Sequence, residues 1–164
     1  MNKTDAVYQA YCKTKFPLPK EKEIAALEHQ LSLRFPRTYR AFLKAFNGSF
    51  FCHPVIAFPE PITVKWRDKM VTHVDDELLG MNGLNATIAS YELGDESDVT
   101  LFDNKHPIHL LVIGHTMTGS LLLLDMASGH ESEILIKLPD EYAYKIADDI
   151  DGFCELIQLP AGSS

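Results

Sequence analysis

Three short apolar runs between His109 and Leu138 constrain this chain more than any other feature. HLLVI, SLLLLD and EILIKL are separated by HTMTG and MASGH, segments rich in the small and polar residues that turns need. Each run is shorter than a typical core helix, so the pattern predicts an antiparallel three-strand meander. SLLLLD is apolar at consecutive positions, so both its faces need cover. It is expected centrally in a sheet with helices on one side. EILIKL alternates better and is expected nearer the edge.

A sheet of that kind needs amphipathic helices, and the N-terminal part supplies them. A first helix is expected over about Asp5 to Lys15, stopped by Pro17 and Pro19. A second starts near Lys20, with Ile24, Leu27 and Leu31 on one helical face. A third starts at Pro36, where a missing N–H costs nothing in the first turn. Its stripe is Tyr39, Phe42, Leu43 and Phe46, and Asn47-Gly48 suits the left-handed cap that ends it. The link Leu33-Arg34-Phe35 is short enough to make these two helices a packed pair. A last helix is expected from Asp148 or Asp149, with Ile150, Phe153, Leu156 and Ile157 at helical spacing and acids at its positive end.

The middle of the chain reads as β. FFCHPVIAF and TVKWRDK look like strands interrupted by Pro54, Pro59 and Pro61, residues that belong at strand ends or edges. DDELLG reads as a short helical turn capped by Asp75 or Asp76. TIASYEL and VTLFD read as strands around a GDESD turn. The expected class is α+β: a twisted, mostly antiparallel sheet packed by N-terminal helices and a C-terminal helix. One domain spanning 1–164 is expected from the length and from the lack of a linker or repeat.

Charge narrows the partners. Residues 1–47 hold nine Lys/Arg and four Asp/Glu, a balance of +5. Residues 48–164 hold six Lys/Arg and nineteen Asp/Glu, a balance of −13. From Asp75 to Asp103 there are eight acids and no Lys or Arg. Such a surface repels phosphates, which argues against nucleic acid and favours a basic protein partner. The start, MNKTDAVYQAYCKTKF, has no long apolar stretch, and no apolar run is long enough for a membrane span, so the cytoplasm is the expected location.

No reactive constellation stands out. Cys12, Cys52 and Cys154 lack the spacing of a zinc or redox motif and read as packing thiols. His106 and His109 flank Pro107, and His109 and His115 bracket a strand, so they are not expected to converge on one ion. His29, His53, His73 and His130 have no recognisable partner in the sequence. Ser120 follows Thr118-Gly119 but lacks the strand-to-helix elbow of a nucleophile. Cys52 and His53 point to opposite faces if they lie on a strand. GHTMTGS has no Walker lysine and reads as a hairpin turn. Trp66, between Lys65 and Arg67, could touch a partner, but a lone strand tryptophan is read here as core. The acids Asp75, Asp76 and Glu77 sit in one loop and Asp95, Glu96 and Asp98 in another, which suits a solvated or partner-facing surface better than catalysis.

The run IAALEHQLSLRFPRTYRAFLKAFNGSFF resembles the opening of SUKH-superfamily (SMI1/KNR4-like) domains, through Leu27, Glu28, Leu33, Pro36, Tyr39, Phe42, Leu43, Asn47 and Gly48. VDDELLGMNG, HLLVIGHTMTGSLLLLD and ADDIDGFCELI resemble later segments of the same family in the same order, so the resemblance spans roughly residues 20–158. It implies an α+β fold and, for many bacterial members, an immunity protein that binds and neutralises a toxin, often a nuclease. Fungal members regulate cell-wall glucan synthesis. None of the matching residues transfers as a catalytic group.

The function expected is therefore non-catalytic protein binding, with no cofactor and no metal. The partner expected is a basic toxin domain docking on Asp75, Asp76, Glu77, Asp95, Glu96 and Asp98. The alternatives are a regulatory or scaffolding module without a toxin and, less favoured, a hydrolase using loop carboxylates or His115.

Overall fold

The computed structural model describes residues 3–14, 17–30, 34–45, 49–51, 54–81, 110–125, 133–139 and 143–159. Among these, the helices are α1 (Lys3–Tyr11), α2 (Glu21–Gln30), α3 (Arg37–Ala45) and α4 (Ile150–Glu155). The strands are β1 (Cys12–Thr14), β2 (Ser49–Phe51), β3 (Val55–Trp66), β4 (Lys69–Met81), β5 (Leu110–Thr116), β6 (Leu121–Asp125), β7 (Ile134–Lys137) and β8 (Ala143–Ala147).

Every strand pair is antiparallel, and the sheet runs β1-β2-β4-β5-β6-β7-β8, with β3 paired to β4 off this path. The α+β class is as the sequence predicts. The meander is present as β5, β6 and β7. Leu122, Leu123 and Leu124 of β6 are all buried, so both faces of that strand are covered. Burying a leucine this completely contributes about 2 kcal/mol. β7 sits one strand in from the edge, which β8 occupies.

One core joins helices to sheet. Val7 of α1, Ile24 and Leu27 of α2, Tyr39, Phe42 and Leu43 of α3, and Ile150 and Phe153 of α4 pack with the inward residues of the strands. The α2–α3 pair is fastened by Glu28. Its carboxylate is buried, accepts the Phe35 backbone N–H at 2.8 Å and pairs with the Arg40 guanidinium. Arg40 also pairs with Glu21, so one guanidinium ties both ends of α2 to α3. Phe35 meets Tyr39 edge to face at 5.1 Å between ring centroids. At α4, which starts where the sequence predicts, the Asp149 carboxylate accepts the Gly152 N–H at 2.7 Å and serves as N-cap. The Thr4 hydroxyl donates to Asp151 at 2.8 Å and holds α1 against α4.

Several expectations are corrected. The first helix ends at Tyr11, because Cys12–Thr14 pairs with Phe51–Ser49 as a strand. Local helical pattern there gives way to a long-range ladder. DDELLG is not a helical turn: it lies within β4, where Asp75, Asp76 and Glu77 pair with β3 and Leu78 and Gly80 pair with β5. Pro59 and Pro61 do not end a strand but lie within β3. They occupy an irregularity in which residues 58–61 stand opposite Val74 alone, between the pairs Ala57–Asp75 and Ile62–His73. Trp66 is not core, being 45% exposed. TIASYEL, GDESD, VTLFD and MASGH lie outside the described residues.

Candidate functional site

β4 is the element on which the described part of the acidic surface stands, and its two halves differ. The inner half is held on both edges. Gly80 pairs with Phe50 of β2 on one side and His115 of β5 on the other. The Leu78 N–H donates to Pro54 at 2.9 Å, and the Glu77 carbonyl accepts the Met117 N–H at 2.8 Å. Beyond Glu77 the β5 side ends. From Lys69 to Asp76, β4 pairs with β3 alone, and among the described residues no strand lies on its other edge.

Asp75, Asp76 and Glu77 sit where the two halves meet, and strand alternation separates them. Asp75 and Glu77 are exposed. Asp76 points inward, is 6% exposed, and accepts the Thr118 hydroxyl at 2.5 Å and the Glu77 N–H at 2.8 Å. Its carboxylate anchors the β5–β6 turn rather than facing a partner. The expectation that Asp76 contributes to an open acidic loop is thus corrected: a charged side chain on the core side of a strand stays there only when its oxygens are bonded. The turn it anchors is a small hydroxyl network. Thr118 lies 3.2 Å from both the Thr116 and Ser120 hydroxyls, and the Ser120 N–H donates to Thr116 at 3.1 Å. Gly119 closes the turn at φ 85°, a conformation that glycine adopts without strain. Asp95, Glu96 and Asp98 lie outside the described residues.

Catalytic alternatives find no geometry among the described residues. No three His, Cys, Asp or Glu side chains there converge as metal ligands. Ser120 is buried among threonines, and no described histidine is hydrogen-bonded to it. His115 lies on β5, where partial burial lowers its pKa below the usual histidine value. Cys154 is buried on α4, and burial pushes its thiol up to about 12, away from the thiolate form that nucleophilic chemistry uses. The groove between Pro59–Thr63 of β3 and Tyr144–Asp148 of β8 is open. At its β8 wall Lys145 pairs with Glu133 and Asp148, each at 2.7 Å, and these partners hold its pKa above the usual lysine value. No described helix is long and apolar enough to cross a membrane.

The outer half of β4 carries a feature that the expectation of a core Trp66 does not foresee. The β3–β4 ribbon ends in a two-residue turn, Arg67-Asp68, with φ of 48° and 25°. Such a turn matches the twist of two paired strands, although glycine or asparagine usually fills it. At this tip Trp66 is half exposed, with the Arg67 guanidinium 5.9 Å from its ring centroid. Met70 is 67% and Val74 55% exposed on the ribbon. The signal available in sequence is the run Lys65-Trp66-Arg67-Asp68-Lys69, whose charges are poor company for a core tryptophan.

No curated protein and no solved structure matches the chain. A family model does, that of the SMI1 / KNR4 family (SUKH-1), over residues 18–155. The matched span runs from the residues before α2 to the end of α4, and so takes in the Glu28-fastened helix pair, strands β2–β8 and the C-terminal helix, but not α1 or β1. On that match, which covers most of its length, the chain belongs to the SMI1 / KNR4 family (SUKH-1), a family of generally non-catalytic immunity- and binding-type domains.

Proposed function

We propose that this chain is an immunity protein that binds a cognate toxin and neutralises it by covering its active site or a nearby exosite. The docking surface is acidic. Asp75 and Glu77 form its part on β4 and Asp76 braces the strand beneath, while Asp95, Glu96 and Asp98 are included for their charge alone. The observation that carries this reading is the pairing of family membership with charge. Residues 48–164 have a balance of −13, and Asp75 and Glu77 stand exposed on opposite sides of an anchored aspartate. A nuclease toxin must be basic around its substrate groove, so an acidic protein competes there and associates quickly.

The test is capture of the partner from the native host, followed by kinetics on the captured toxin. Substituting Asp95→Asn, Glu96→Gln and Asp98→Asn together, and separately Asp75→Asn with Glu77→Gln, is expected to slow association. Loss of steering is expected to cut the on-rate about tenfold at low salt and flatten its salt dependence. An on-rate and salt slope that neither set changes would remove the acidic surface from the reading. Capture of a partner without toxic activity would point instead to a regulatory or scaffolding module.

A further inference from the structure

The edge of β4 from Lys69 to Asp75 is complementary to itself, and we infer that it pairs antiparallel with the same edge of a second copy of this chain. Unpaired strand edges invite another strand, and long exposed ones are usually covered or blunted. This one is open among the described residues, and it carries Met70 and Val74, two of the most exposed large apolar side chains described.

Charge selects a second copy as the occupant. Lys65, Arg67 and Lys69 are three of the six cations in residues 48–164, and all three cluster at the ribbon tip. Asp75 and Glu77 lie six and eight residues further along β4 than Lys69. The edge is therefore positive at one end and negative at the other, and an antiparallel copy presents the opposite order. With the twofold axis at Thr72, Lys69 of one copy faces Asp75 of the other, Met70 faces Val74, and Val71 faces His73. Arg67 comes level with Glu77. Directly opposed side chains are the pairs that stabilise a sheet. Other registers lose this match. A shift of one position sets Lys69 against Val74, or else Met70 against Asp75. Asp75 also belongs to the surface proposed for the toxin, so a second copy and a toxin compete for it. The pairing itself does not rest on that reading and is measured with no toxin present.

The full chain, measured by light scattering over a concentration series, is expected to move from 18.4 kDa toward twice that mass. Lys69→Asp or Asp75→Lys alone is expected to return it to the monomer mass, because like charges then face each other. The two substitutions together restore opposite signs and with them the dimer. Opposed residues of an antiparallel pair have Cα atoms about 4.5–5.5 Å apart, within reach of a disulfide. Thr72→Cys, mildly oxidised, is therefore expected to run at double mass on a non-reducing gel, and the unsubstituted chain is not. A monomer at every concentration, a dimer indifferent to both single reversals, or a Thr72→Cys chain that cross-links no more than the unsubstituted one would each overturn the pairing.

Discussion

β4 is one strand with two environments, and the contrast shows how a small sheet separates holding from reaching. From Glu77 to Met81 it is bonded on both edges, and Leu78 packs in the core. From Lys69 to Val74 it is half of a ribbon with one partner strand, apolar and charged side chains in water, and a cationic tip. Asp76 stands near the boundary. Its carboxylate spends its hydrogen bonds on Thr118 and the local backbone, which fixes the point where the strand leaves the sheet. The scaffold ends there and the interacting surface begins.

A mutation series sharpens this division. Leu124→Ala, in the covered centre of β6, removes a fully buried side chain and is expected to cost about 3–4 kcal/mol in denaturant unfolding. Asp76→Ala leaves the Thr118 hydroxyl and the Glu77 N–H without their acceptor, for a loss of about 1–3 kcal/mol. Met70→Ala, on the ribbon, is expected to change stability by less than about 0.5 kcal/mol in dilute protein. A cost at Met70 equal to that at Leu124 would mean that the ribbon is part of the core.

The sequence makes the scaffold half of this picture legible and the reaching half much less so. The consecutive leucines of β6 demand cover on both faces wherever they are placed. The Tyr39, Phe42, Leu43 stripe and the acids at the start of α4 are local signals that tertiary structure had no reason to override. β1 is hidden because three residues with no strand pattern become a strand only when Ser49–Phe51 lies beside them. β8 is short, has two interior aromatic and charged positions, and pairs with a strand that precedes it by a loop. The acidic triplet misleads for a related reason. DDE reads as a polar loop, yet the inward turn of Asp76 depends on a threonine 42 residues away. The sequence points to a core Trp66, because a lone strand tryptophan usually is one. Its exposure follows from the ribbon outrunning the sheet beneath it, which no local pattern records.

The central claim, that β4 is anchored at one end and open at the other, is tested most directly by amide hydrogen exchange along this strand in dilute protein. Leu78–Met81 are expected to be protected close to the global unfolding limit, while the edge-facing amides between Lys69 and Asp75 exchange orders of magnitude faster. Uniform strong protection from Lys69 through Met81 would contradict it.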